Sequence, residues 1–376
     1  MKKNHLLKDL ESEAISIIRD GFSKSLNPVL MYSIGKDSSV LLHLAIKAFY
    51  PSPIPFPLLH IDTKWKFKEM YAFKEKIKKK LNIKLITHTN LDGLKKKIDP
   101  ANNSSVHTDV MKTEALKQAI DKYKFDFIFG GARRDEEQSR SKERIVSVRE
   151  KTHTWDPKNQ RPELWSLFNF NKNQDQSFRI FPISNWTEKD VWDYILQENI
   201  DIVNLYFAKS RPTIIRNGSI FLVDDDRFLL QKKEKIVNRK VRFRTLGCYP
   251  LTAGTESTAA NIREIIEENK KIHFSERAGR LIDLDKINSM EVKKREWATA
   301  MERASWRVRW RWVSPSARSR MRDATSLQTE HGTRAAAKCG VSGARWKKNH
   351  SMRGFGCRRR EWKATSLQEG VGTMGS

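Results

Sequence analysis

Apolar and polar positions alternate along this chain with two periods, and the changes of period mark its elements. Residues 6–20 bring Leu6, Leu7, Leu10, Ala14, Ile17 and Ile18 near one helical face with charges opposite, so an amphipathic helix leads in. Asn27-Pro28 breaks the pattern, and Val29-Leu30-Met31-Tyr32 reads as a strand before a helix at Val40 to Ala45. A proline cluster (Pro51, Pro53, Pro55, Pro57) delivers a second strand, Phe56 to Ile61. Residues 66–81 read as a helix, Lys84 to Thr89 as a third strand, Asp109 to Tyr123 as a helix and Phe125 to Phe129 as a fourth strand. Phe178 to Pro182 supplies a fifth, and Thr187, with Asp190 three residues on, caps the next helix. This alternation predicts an α/β fold: a parallel five-stranded sheet with helices on both faces and right-handed crossovers.

From residue 201 the apolar runs shorten, and Asn217-Gly218 signals a hairpin. The expected organisation is an α/β domain over residues 1–200 and a smaller α+β region over 201–296 that completes the site, with charged helices at 261–273 and 275–295. Trp186 and Trp192 are expected in the core.

The segment Ser33-Ile34-Gly35-Lys36-Asp37-Ser38-Ser39 between first strand and helix is built for an anion. Unpaired N–H groups and the helix dipole favour negative charge there. Gly35 lets backbone approach a ligand, Lys36 supplies a cation, and Ser33, Ser38 and Ser39 donate to phosphate oxygens. The spacing is too short for the eight-residue nucleotide loop, and Asp37 follows the lysine. Asp37 either caps the helix or touches a metal.

A second constellation begins where the fourth strand ends, at Gly130-Gly131-Ala132-Arg133-Arg134-Asp135-Glu136-Glu137. Paired glycines permit close backbone approach, and arginine forks suit tetrahedral oxyanions. Asp135, Glu136 and Glu137 orient those arginines or carry a magnesium ion. Arg140, Lys142 and Arg144 read as an exposed, ion-paired helix face. Residues 151–179 have loop composition, as a lid or insertion would. Asp62, at the carboxyl end of the second strand, is placed to face a ligand crevice. Arg242 and Arg244 share one face of an expected strand, within reach of a second oxyanion. Asp224-Asp225-Asp226 reads as a charged turn and Cys248 as a packing cysteine.

The net charge of +27 is uneven. Residues 297–376 hold 17 Lys and Arg against 5 Asp and Glu, while much of the remaining excess sits on helix faces such as Lys74 to Lys80. Solvated faces, not a nucleic-acid groove, follow for residues 1–296. Three scattered cysteines form neither a disulfide framework nor a zinc spacing, which suits a reducing compartment. Neither a signal core nor a membrane-length apolar run occurs, so a cytoplasmic protein is expected.

With these motifs in place, residues 1–296 resemble the small, catalytic subunits of bacterial sulfate adenylyltransferase (ATP sulfurylase), within the PP-loop ATP pyrophosphatase superfamily and related to phosphoadenylyl-sulfate reductase. Tyr32 to Ser39, Phe56 to Thr63 and Gly130 to Arg144 carry the likeness, with Trp155 to Trp165 and Arg242 to Cys248. The resemblance implies an adenine nucleotide alpha hydrolase-like fold and the conversion of ATP and sulfate to adenosine 5′-phosphosulfate and diphosphate. It also implies a heteromer with a larger GTPase subunit, whose GTP hydrolysis drives an uphill step toward cysteine. On this reading Lys36, Ser33, Gly35, Asp37, Ser38, Ser39, Asp62, Gly130 and Gly131 bind ATP. Arg133 and Arg134, then Arg242 and Arg244, take sulfate. Lys36, Arg133 and Arg134 are the catalytic candidates, and Mg²⁺ with Asp37 and Asp135 accompanies the nucleotide. A phosphoadenylyl-sulfate reductase needs a thiol in a Glu-Cys-Gly-x-His tail, which the sequence lacks. A tRNA-modifying relative needs a basic groove with interleaved aromatics.

Residues 297–376 break the composition: 13 Arg, six of the eleven Trp, no Ile or Tyr, and the near-repeat Ala324 to Gln328 at Ala364 to Gln368. The tail reads as a frameshift, read-through or rearrangement product. It is expected to be disordered and to touch nucleic acid only non-specifically.

Overall fold

The computed structural model describes residues 2–271, apart from 99, 101–103, 137–142, 157, 158, 166 and 233. The expectations for Glu137, Arg140, Lys142, the helix at 275–295 and the 297–376 tail lie outside the described residues.

The chain begins with α1 (Lys2–Lys24), β1 (Pro28–Met31), α2 (Lys36–Phe49), β2 (Leu58–Ile61), α3 (Lys68–Leu81) and β3 (Leu85–His88). Short helices α4 (Leu91–Lys95) and α5 (Ser104–Thr108) follow, then a π-helical segment, Asp109–Glu114, which runs into α6 (Ala115–Tyr123). Next come β4 (Phe127–Phe129), β5 (Val146–Arg149), β6 (Ser177–Ile180) and α7 (Glu188–Glu198). Six strands form one sheet in the order β3-β2-β1-β4-β6-β5. Five are parallel, as expected, but β5 joins the edge antiparallel to β6.

Of the exposed, ion-paired helix face read at Arg140, Lys142 and Arg144, only Arg144 is described, and it is not helical. Arg144 is an exposed coil residue leading into β5. The physical reason is burial: Val146 and Val148 join the core, which strand geometry achieves and a solvated helix does not. The open edge of β5 is covered by side chains from the long loop after it. Glu163 accepts from the backbone N–H groups of Ile145 and Val146 at 3.1 and 2.8 Å. Gln160 accepts from Val148 N at 2.9 Å and donates to Val148 O at 3.2 Å.

Alternation along β1 sends its residues to two cores. Leu30 belongs to the core that also holds Leu41, Leu44 and Ala45 of α2 and Ala14 and Ile17 of α1. Val29 packs with Ala119 and Ile120 of α6. Each buried Leu, Ile or Val among these contributes about 1.5–3 kcal/mol. Asp126 accepts from the N–H groups of Leu26 and Asn27, both at 2.9 Å, which fixes the start of β1 beside β4. Trp186 and Trp192 are fully buried. The α7 cap forms as read: Thr187 Oγ1 accepts from Asp190 N at 3.2 Å, and Asp190 Oδ2 accepts from Thr187 N at 2.9 Å.

After a short 3₁₀ turn, Asn204–Tyr206, a second sheet runs β10-β9-β7-β8 from β7 (Lys209–Arg216), β8 (Ser219–Leu222), β9 (Val237–Arg242) and β10 (Thr255–Glu256). Asn217 and Gly218 turn the β7–β8 hairpin with φ of 50° and 74°. Helix α8 (Ile262–Asn269) is the last described element. Among the described residues no helix is long and apolar enough to cross a membrane.

Candidate functional site

Strand order reverses between β1 and β4: β2 and β3 lie beyond β1, whereas β6 and β5 lie beyond β4. In parallel sheets the crevice outside the carboxyl ends at such a switch point is where ligands bind. A cavity of about 400 Å³ opens there, within the range that encloses a small molecule. The loops after β1 and β4 both line it, through Ser33, Gly35, Asp37 and Ser38 and through Gly130, Gly131 and Ala132.

Loop hydroxyls fasten the first of these internally. Ser33 Oγ donates to Ser38 Oγ at 3.1 Å, and Ser38 Oγ donates to Gly35 O at 2.9 Å. Ile34 adopts a φ of 70° while fully buried. A β-branched residue in the left-handed region stores about 1–3 kcal/mol of strain, and surrounding packing must hold it there. Gly131 is why two glycines end β4: a Cβ there would meet the Asp37 carbonyl at 3.1 Å and Ser38 N at 3.2 Å. The two loops therefore touch backbone to backbone.

The expected cations are arranged differently. Lys36 is buried, with Nζ 3.1 Å from Arg244 O and 3.8 Å from Asp37 Oδ2. Its backbone N–H donates to the Tyr206 hydroxyl at 2.7 Å. Arg133 is fully buried and its Nε donates to Asp37 Oδ1 at 2.7 Å. Asp37 sits in the first turn of α2, two residues after the N-cap Gly35. Asp135 Oδ2 accepts from Glu188 N at 2.9 Å and stands 3.5 Å from Arg133 Nη1. Asp37 thus serves Arg133, and Asp135 serves Arg133 and helix α7; no group of three or more His, Cys, Asp or Glu suited to a metal occurs among the described residues.

Arg134 donates to Glu143 O at 3.1 Å and to Asn185 Oδ1 at 2.6 Å. The strand reading of Arg242 and Arg244 needs correction, because β9 ends at Arg242. Arg242 is fully buried on Glu268, at 2.8 Å, and Asn269 of α8. Arg244 donates to Glu188 of α7 at 2.7 Å. None of these four arginines lines the cavity.

Asp62 is also elsewhere, buried and accepting from Lys64 N at 2.8 Å and Tyr71 OH at 2.9 Å. Burial opposes its charge, but these donors and the Lys64 ammonium hold its carboxyl below the usual range. Ser39 faces a smaller recess of about 240 Å³ with Tyr32, His43 and Glu198. Cys248 is buried, its thiol 3.3 Å from Thr63 Oγ1.

The cavity wall instead carries Lys117, Arg149, His153, Arg179 and Tyr206. Sequence reasoning gave none of them a role. One signal was present: Arg179 interrupts the apolar run Phe178-Arg179-Ile180 inside a buried sheet, where a charge needs a reason.

The family model for the phosphoadenosine phosphosulfate reductase domain matches residues 27–254. The chain is 60% identical to sulfate adenylyltransferase subunit 2 of Methylorubrum populi over 291 residues, 77% of this chain and 94% of that one. It is 57% identical to the subunit 2 of Sulfurimonas denitrificans over 296 residues, 78% of this chain and 98% of that one. With a strained phosphate loop at the switch point of a mostly parallel sheet, and this identity over nearly the whole of its relatives, the chain belongs to the sulfate adenylyltransferase subunit 2 family, on a phosphoadenosine phosphosulfate reductase domain.

Proposed function

We infer that this chain is the adenylyltransferase subunit that joins ATP and sulfate into adenosine 5′-phosphosulfate and diphosphate, at the entry to sulfate assimilation. The observation that carries the reading is the cavity between β1 and β4, walled by the Ser33–Ser38 and Gly130–Ala132 loops. A sulfate oxygen attacks the α-phosphorus and forms the phosphosulfate anhydride. The bond from that phosphorus to the bridging oxygen breaks, and the electron pair leaves with diphosphate. Sulfate is fully ionised at neutral pH, so no general base is required. Catalysis rests on positioning and on neutralising charge at the leaving group.

In this reading Ser33, Gly35 and Ser38 meet the leaving diphosphate, and the Lys36 ammonium neutralises it. Arg133 acts one step back, fixing Asp37 and with it the first turn of α2. Magnesium enters as MgATP, as part of the substrate, with Asp37 and Asp135, both beside Arg133, as the carboxylates assigned to it. The relatives' name, subunit 2, implies assembly with a partner subunit. We assign that partner as a larger GTPase subunit whose turnover drives the uphill equilibrium. A reductase reading would need a reachable thiol, whereas Cys248 is 1% exposed, and Cys339 and Cys357 lie outside the described residues.

The test is formation of labelled adenosine phosphosulfate from ATP and radioactive sulfate by the full chain with its partner subunit. Product is expected from the wild type, with a loss of about 100-fold or more in Lys36→Ala at unchanged secondary structure. A stable complex that makes no product, or near-normal turnover by Lys36→Ala, refutes the assignment.

A further inference from the structure

We propose that Arg149 and Arg179, with the hydroxyls of Ser147 and Ser177, form the subsite that takes the attacking sulfate. The proposal deepens the adenylyltransferase reading and rests on it. Its basis is the pairing of β5 with β6: Ser147 lies opposite Arg179 and Arg149 opposite Ser177. All four side chains therefore share one face of the sheet. The two arginines are diagonal neighbours, about 7–8 Å apart at the backbone and within reach of each other's guanidinium. Both line the cavity that holds the phosphate loop, together with Lys117 and His153.

The site is built rather than incidental. Arg179 is nine-tenths buried and still reaches the cavity wall. Arg149 is steered from two sides, by an ion pair with Glu143 and by the Trp155 ring, 5.9 Å away at its centroid. The Ser147 and Ser177 hydroxyl oxygens are buried and find no hydrogen-bond partner among the described residues. The two forks on the cavity wall offer donors to a tetrahedral oxyanion that carries no proton of its own, and the two hydroxyls lie buried behind that wall on the same face.

Sheet order supplies the direction. Reading across from β1 to β4, β6 and β5, the diphosphate loops come first and the arginine pair last. In-line displacement needs attacker and leaving group on opposite sides of the α-phosphorus. Two anion-binding groups in a row, with room between them, meet that need.

The experiment compares wild type, Arg179→Gln, Arg149→Gln and the double variant Ser147→Ala/Ser177→Ala, each full-length with the partner subunit. Kinetics give KM for sulfate and for ATP. Equilibrium binding of radioactive sulfate in the presence of a non-hydrolysable ATP analogue is measured alongside. Loss of a charge-assisted hydrogen bond predicts a rise in sulfate KM of about 10- to 100-fold for either arginine, and several-fold for the serine pair. The KM for ATP should stay within about threefold.

The serine double variant removes no charge and leaves the test standing if an arginine variant fails to fold. A parallel rise of both KM values, or unchanged sulfate binding in folded variants, overturns the subsite. A wild type that binds sulfate but makes no adenosine phosphosulfate overturns the functional reading instead, while the binding comparison still decides the subsite.

Discussion

Moving one methyl group between two glycines separates packing from ligand contact at this site. In Gly131→Ala the new Cβ would lie 3.1 Å from the Asp37 carbonyl and 3.2 Å from Ser38 N. Carbon contacts are comfortable at about 3.5–4.0 Å, so the phosphate loop must retreat by about half an ångström. Overpacking of this kind costs about 1–3 kcal/mol. For a chain of this size 2 kcal/mol lowers the melting temperature by about 4–8 °C. Misplacement by 1 Å costs about 100-fold in rate, so half of it predicts about a tenfold loss.

Gly35→Ala should do the reverse. Gly35 has φ −80° and ψ 166°, open to any residue, and its Cβ would meet only Ser33 Oγ at 3.4 Å and Tyr206 OH at 3.5 Å. Alanine is a poorer helix cap, but the stiffer unfolded chain offsets that, each effect being about 0.5–1 kcal/mol. The melting temperature should hold while the methyl intrudes on the cavity, raising the KM for ATP about tenfold or more. Circular dichroism melts and steady-state kinetics on both variants read these outcomes. Gly131→Ala melting within 1 °C of the wild type, or Gly35→Ala binding ATP normally, would refute the reasoning.

Arg133→Met strips Asp37 of its guanidinium; Asp37 is 20% exposed, so the cost should fall below the buried-pair range, at about 2–3 kcal/mol. A double-mutant cycle with Asp37→Asn should return a coupling of about 1 kcal/mol or more, and additive effects would dismiss the pair. Thr187→Ala removes the α7 capping box and should lower stability by about 1 kcal/mol with kinetics unchanged. His60, buried with Nδ1 2.8 Å from Tyr32 O, is pushed down to about 4 by burial and the nearby Lys66 charge. Above pH 6.5 it is neutral in both states and its contribution is complete. As pH falls toward 4 the unfolded chain takes the proton and the folded one does not, removing about 3 kcal/mol. Denaturant titrations should show a shallower decline across that window in His60→Asn, and an identical slope would rule His60 out.

The five parallel strands were legible because their apolar runs are short and bounded by glycine, proline or charge. The phosphate loop, the Thr187 cap and the Asn217-Gly218 turn were legible for the same local reason. Strand β5 was not, since Val146-Ser147-Val148-Arg149 sits between charged segments and pairs antiparallel with residues some thirty positions on. Arg242 and Arg244 looked like ligand groups because their partners, Glu268 and Glu188, lie 26 and 56 residues away. The cations that do line the cavity, Lys117, Arg149 and Arg179, each stand singly in a different element, and only the sheet order gathers them.

The loop that covers β5 reaches further than local tidiness. An uncovered outer strand is a template for other chains, and proteins blunt such borders with charge or covering segments. Here Gln160 and Glu163 answer the exposed amides one by one, and the strand they shield carries Arg149. A single loop thus stops the sheet from growing and keeps a cavity arginine in register, so loosening it would bring self-association and slower turnover together.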